Sequence, residues 1–203
     1  DDLLADLAQQ YPEFLTFLIT NAEGDIQHTY PKEVMRRAAQ EGVLNVSERN
    51  YFQQPLQTYK AFVSPAFVGR GFGNDNIVAV AAPVFDSQGK FAGIVEGSLG
   101  LNVFDLYDDR NLTGFAAMVS DNYNQVVFAN AGLGLEKLTV HSESFCLTQQ
   151  CTQESVSING VEWFMQSNLN GPLDWSTHVY FKKAEFIEAT SKYLLLAFAV
   201  LVI

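Results

Sequence analysis

The sequence predicts an α+β fold: two tandem modules, each on an antiparallel sheet, between a long N-terminal helix and a C-terminal helix that leads into a membrane span. Three observations predict it. β-Branched and aromatic runs come in pairs around short Asn/Asp/Gly turns, the mark of antiparallel hairpins. The strand-turn-strand pattern that first appears at Phe14 starts afresh at Phe115. The chain then closes on the uncharged apolar run 193–203.

Residues 2–11 carry leucines at helical spacing and stop at Pro12, so a helix is expected to end near Tyr11. Residues 14–20 and 26–30 read as strands around a turn at 21–25. Pro31 opens a helix over 32–41, and Gly42 ends it. Strands are expected over 77–85 and 90–99 around a turn at 86–89. Pro83 has no N–H to give a ladder, so that end of its strand should be an edge, a bulge or an exit.

A joint falls in 104–110, where Asp105, Asp108 and Asp109 cluster; a solvated linker or helix start is the reading adopted, with a cation site as the alternative. The second module repeats the hairpin over 115–120 and 126–130, with its turn at 121–125. Strands at 154–158, 161–167 and 176–181 follow, joined by Asn159-Gly160 and Asn170-Gly171, a pairing favoured in tight hairpin turns. No long helix is evident there. The expected divisions are 1–13, 14–105, 106–181 and 182–203. Residues 182–192 have helical character and lead into the apolar run, which stops at about half of the roughly 20 residues that cross a bilayer. It reads as the start of a transmembrane helix; the alternative is an apolar helix packed on its own domain.

The chain has 203 residues, 48% of them hydrophobic, with 16 Phe and 8 Tyr, so it can build real cores and is not a disordered segment. A formal net charge of -11 and a pI near 4.5 exclude nucleic acid, which needs a basic surface. Cys146 and Cys151 are close enough in sequence to form a disulfide, with reduced neighbours or half a metal site as alternatives. His28, His141 and His178 are scattered without ligand spacing, so no metal is expected. A disulfide formed in an oxidising compartment is the reading adopted.

Catalytic patterns are missing. There is no nucleophile elbow and no His-Glu-x-x-His. The glycine loop at Gly69, Gly71 and Gly73 does not sit between a parallel strand and a helix, so it reads as a flexible connection rather than a phosphate cradle. No cofactor is expected. The first module does gather Tyr30, Arg49, Tyr51, Ser64, Arg70 and Ser98. Guanidinium forks match carboxylates, and tyrosines add hydroxyl donors on rigid apolar walls. Such a set suits a small anionic metabolite in a concave site. The alternative puts Arg49 in a surface ion pair with Glu48 or another acid, and Tyr51 and Phe52 in the core.

Residues 46–53, 62–64 and 77–101, in this order of helix, two modules and membrane-directed helix, carry a family likeness. The chain resembles the double Cache (tandem PAS-like) sensor domains that lie outside the membrane in bacterial histidine kinases, diguanylate cyclases and chemoreceptors. Residues 82–99 match that family's Pro-strand-turn-Gly-strand pattern, and the likeness is looser over the second module. It implies a periplasmic sensor domain of an inner-membrane receptor, with a small-molecule ligand in the membrane-distal first module. It also implies no catalysis in this part of the chain, a kinase, cyclase or chemoreceptor output outside it, and room for a homodimer in the full-length receptor.

In members that bind amino acids, an Arg is followed two positions on by Trp, and an Asp on the last strand holds the ligand ammonium. Here Tyr51 stands in the Trp position and Ser98 about where the Asp would be. That departure shifts the expected ligand from an amino acid to a carboxylate, or another anionic or neutral metabolite. Arg49-Asn50-Tyr51-Phe52 is similar to the carboxylate-sensing branch. Two other classes stand beside a sensor. One is a membrane-tethered periplasmic hydrolase, which needs a nucleophile–base pair. The other is a partner-binding ectodomain with no small-molecule site.

Overall fold

The computed structural model describes residues 2–70, 73–108, 114–140 and 154–201. The chain divides into two compact units, Asp1–Val103 and Phe104–Ile203.

The first unit runs α1 (Asp2–Gln10), β1 (Phe14–Thr20), β2 (Ile26–Tyr30), α2 (Glu33–Gln40), α3 (Asn50–Thr58), β3 (Phe62–Val63), β4 (Phe67–Val68), β5 (Asn76–Phe85) and β6 (Phe91–Gly100). Its sheet has the order β2-β1-β6-β5-β3, with β4 also on β5, and every pairing is antiparallel. The sequence predicts a helix ending near Tyr11, and α1 ends at Gln10. The two expected hairpins form with matching chemistry. Asn21 Oδ1 accepts from the backbone N–H of Glu23 and Asp25, and Asp86 Oδ1 accepts from Gln88 and Lys90. These are side-chain turns that spare the backbone an unpaired donor. Gly24 sits at φ +85°, and a Cβ there would come within 2.8 Å of Ser47 N, so two constraints ask for glycine.

β5 pairs with β3 only through Val80 and Ala81, which leaves Pro83 on an edge, just before a register shift between Val84 and Phe85. Helix α3 has no counterpart among the elements expected from sequence. Pro55 lies inside it, and proline ordinarily ends a helix. What holds α3 is burial: Tyr51, Phe52 and Pro55 face the sheet. Tyr51 and Phe52 join Leu18, Ile26, Val46, Ala79, Ala81, Phe91 and Ile94 in the first core.

The second unit runs β7 (Phe115–Ser120), β8 (Val126–Ala129), β9 (Glu154–Ile158), β10 (Val161–Asn170), β11 (Trp175–Lys182) and α4 (Lys183–Leu201). The sheet order is β8-β7-β11-β10-β9, antiparallel throughout. Its first turn repeats the device of the first unit, with Asp121 Oδ1 accepting from the backbone of Tyr123 and Gln125. Trp163, Met118, Met165 and Tyr180 dominate its core. Buried His178 lies between Ser120 Oγ at 3.0 Å and Ser167 Oγ at 2.7 Å.

Helix α4 occupies the expected place. Among the described residues no helix is long and apolar enough to cross a membrane. Cys146 and Cys151, and with them the expected disulfide, lie outside the described residues, as do His141 and Asp109.

Candidate functional site

The candidate site grows from one sheet face of the first unit and the helix that covers it. Strand residues alternate faces, and direct cross-strand neighbours share one. Glu96 stands opposite Leu18 on β1 and Ala81 on β5; Ser98 stands opposite Thr16 and Ala79. Leu18, Ala79 and Ala81 pack in the same core as Tyr51, so Glu96 and Ser98 lie on the face that α3 covers. Tyr51 is buried in the first turn of α3, its ring stacked on Phe67 with centroids 6.2 Å apart and planes at 17°. Phe67 in turn pairs with Ile77 on β5.

This face carries an unusual charge environment. Glu96 is 2% exposed, and Ser98 Oγ donates to its Oε1 at 2.8 Å. Burial pushes the Glu96 carboxyl up to about 8, against the opposing pull of the Ser98 hydrogen bond. It is therefore mostly the neutral acid at pH 7. Burial also lifts the Tyr51 phenol far above its ordinary range; Glu96 adds to the lift and Arg49 opposes it. Tyr51 thus lies within electrostatic reach of both an acid and a guanidinium.

Arg49 is the N-cap residue of α3, in extended conformation. It lines an open cavity of about 480 Å³ together with Arg70 and the segment Gly42, Val43, Asn45, Val46, Ser47 and Glu48. Hydrogen bonds hold that segment. Asn45 Nδ2 donates to Asp25 Oδ1 at 2.7 Å and to Glu23 O at 3.0 Å, while Asn45 Oδ1 accepts from Ser47 N. These amides, Asn45 first and then Asn21, hold the Asp25 carboxyl below its usual range. Gln53 of α3 donates to Ser47 O, tying the helix to the same wall. Among the described residues no ion pair engages Arg49 or Arg70, so the expected alternative of an Arg49–Glu48 pair is not formed. A second, small cavity of about 10 Å³ lies against Ser98, with Leu15, Thr16, Gly69, Gly73, Asp75 and Ile77 around it.

Of the six residues singled out in the sequence, the structure brings Arg49 and Arg70 to one cavity and sets Tyr51 and Ser98 on the covered face. Two belong elsewhere. Ser64 is buried with its hydroxyl engaged by backbone, accepting from Ala79 N at 2.9 Å and donating to Pro65 O at 2.8 Å. It completes the edge of the sheet. Tyr30 pairs with Phe17, whereas Leu18 pairs with Thr29. The alternation therefore puts Tyr30 on the opposite face from Tyr51, and it cannot wall the same site. Glu96 is the residue that sequence reasoning misses. Its signal was its place two residues before Ser98 and two after Ile94 on an expected strand, an inward position for a carboxyl.

No protein-family model matches the chain, and no curated protein matches it in sequence. Solved structures do match. The extracellular domain of rpHK1S-Z16, assigned as a histidine kinase, is 14% identical with a TM-score of 0.71, over 92% of this chain and 78% of that one. The ligand-binding domain of the Pseudomonas fluorescens chemoreceptor CtaA in complex with L-serine is 12% identical with a TM-score of 0.69, over 90% and 78%. The ligand-binding domain of the Pseudomonas aeruginosa PAO1 amino acid chemoreceptor PctC in complex with GABA is 15% identical with a TM-score of 0.62, over 89% of each chain. The chain shares its fold with these extracellular and ligand-binding domains of a histidine kinase and of chemoreceptors.

Proposed function

We propose that the first unit is the ligand-binding part of a periplasmic sensor, and that it takes a small carboxylate-bearing metabolite in the cavity shared by Arg49 and Arg70. The observation that carries this reading is the pair of guanidiniums, free of ion pairs among the described residues, on one cavity of about 480 Å³. They stand out in a chain of net charge -11. An unpaired guanidinium beside a cavity offers two parallel donors to a carboxylate. The size lies within the range of small-ligand sites. L-Serine and GABA, held by the CtaA and PctC domains, both carry a carboxylate.

As a sensor the unit binds and does not catalyse. A signal requires that the ligand favour one of two arrangements, with unequal affinity for them. Helix α4 is the route by which that bias leaves the second unit, toward an anchor in the inner membrane. A thermal-shift screen of organic acids and amino acids tests the reading, because a ligand that binds only the folded state raises its melting temperature. A rise that disappears in the Arg49→Ala/Arg70→Ala double variant is expected. No rise across the panel, or a rise that survives the double variant, contradicts the proposal.

A further inference from the structure

Four phenylalanines gather on the second unit where water still reaches them. Phe164, Phe181 and Phe115 are direct partners across β10, β11 and β7, so they form a row on one face of the sheet. It is the outer face, because the adjoining residues Trp163, Tyr180 and Ala116 alternate inward to the core. The Phe115 and Phe181 rings lie 5.8 Å apart, and Phe186 of α4 meets Phe164 edge-on at 5.4 Å. Phe115, Phe181, Phe186 and Ile187 are all exposed. A contiguous apolar patch of this kind marks a surface that meets a partner.

Helix α4 extends the patch. Successive helical residues turn by about 100°. That sets Phe186, Ile187 and Thr190 on one side of α4 and Glu185, Glu188 and Lys192 on the other. Thr190 Oγ1 donates to Phe186 O at 2.7 Å, so its hydroxyl is satisfied within the helix.

Charge points to what the patch meets. Residues 104–181 hold two basic and nine acidic side chains, whereas 182–192 hold three lysines and two glutamates. Both glutamates are paired, Glu185 with Lys182 and Glu188 with Lys192. Lys183 stands over the Phe164 ring at 5.7 Å, with no ion pair among the described residues. This end of an acidic unit is the one an anionic lipid surface attracts. From Tyr193 the helix runs on into the uncharged apolar run. Phe186 lies about 10 Å before that point along the axis, against a headgroup layer about 5–7 Å deep on each side of a bilayer. A tilted entry, usual for membrane helices, reduces the difference to less than a side chain's length.

We propose that the folded second unit rests on the bilayer through this patch, with Phe115, Phe181, Phe186 and Ile187 in the headgroup layer of an anionic lipid surface and Lys183 beside them. The inference rests on the reading of α4 as leading to an inner-membrane anchor. It adds a lipid contact made by the sheet itself, which sets the angle at which α4 enters. A second copy of the chain is the competing occupant of the row.

Photo-cross-linking of the full chain on vesicles of phosphatidylcholine, with phosphatidylglycerol as one part in four, separates the two. The variants are Phe115→p-benzoylphenylalanine and Phe181→p-benzoylphenylalanine, each checked for folding by its melting transition. Phe85→p-benzoylphenylalanine is the comparison, since Phe85 is as exposed as Phe115 but lies in the first unit. Irradiation should yield phospholipid adducts, identified by mass, several-fold more from positions 115 and 181 than from 85. Equal labelling at the three positions, no lipid adduct, or protein dimers in place of lipid adducts overturns the inference. Co-sedimentation of the unsubstituted chain with the same vesicles reports on the anchor separately. A chain that sediments without labelling lipid at 115 and 181 leaves the anchor reading standing, and one that stays in the supernatant overturns both.

Discussion

Ser98 Oγ donates to Glu96 Oε1 at 2.8 Å, and the two residues alternate on the β6 face that helix α3 covers. The bond joins the position where a ligand partner was sought in the sequence to the one where the carboxyl is found.

Glu96 makes the free protein sensitive to pH in a defined direction. Its carboxyl is raised by burial from an ordinary 4.5 to about 8, so the folded state binds the proton more tightly than the unfolded chain. The stabilisation is complete below the unfolded value and is lost as pH rises through the folded one. Urea melts from pH 5 to 8 should show stability falling by on the order of a few kcal/mol from this group. Glu96→Gln should flatten that slope; an unchanged slope removes Glu96 as its source.

Gly93 should tolerate no side chain. It sits at φ +141°, and a Cβ there would lie 2.0 Å from Thr20 O on the neighbouring strand. The same contact region holds the Ile94 N–H, which donates to Thr20 Oγ1 at 3.1 Å. Gly93→Ala should cost at least about 3 kcal/mol in chemical denaturation. Gly42→Ala is the comparison: φ is +70° with nothing within 4 Å of a Cβ, so its cost should stay near about 1 kcal/mol. Equal losses at the two sites would contradict the packing described.

The hairpins were legible in the sequence because their turn residues act locally. Gly24, Gly89, Asn124 and Asn159-Gly160 all adopt the left-handed backbone their chemistry favours. Helix α3 was not legible, since Pro55 argues against it locally and only its burial against the sheet sustains it. The same division runs through the site. Arg49 and Arg70 were recognisable as cations in an acidic chain, but their meeting at one cavity depends on how the 42–48 segment is tied to the first hairpin. Tyr30 was misplaced because register with Phe17, not residue type, decides which face it occupies.

The expected Cys146–Cys151 disulfide stands on the sequence alone. Thiol titration of native and denatured protein without reductant should find no free thiol. Reduction should have only a local effect, because a short closed loop restricts the unfolded chain little. Two titratable thiols would remove the bond and the argument it gives for an oxidising compartment.

The most direct measurement of the central claim is the affinity of Arg49 variants for the tightest-binding carboxylate in the screen, by titration calorimetry. Arg49→Ala should lose about 1.5–3 kcal/mol of binding, the usual worth of a hydrogen bond to a charged group. Arg49→Lys should recover only part of it, because an ammonium keeps the charge but not the planar fork. An affinity unchanged in Arg49→Ala would place the ligand away from this cavity and contradict the account.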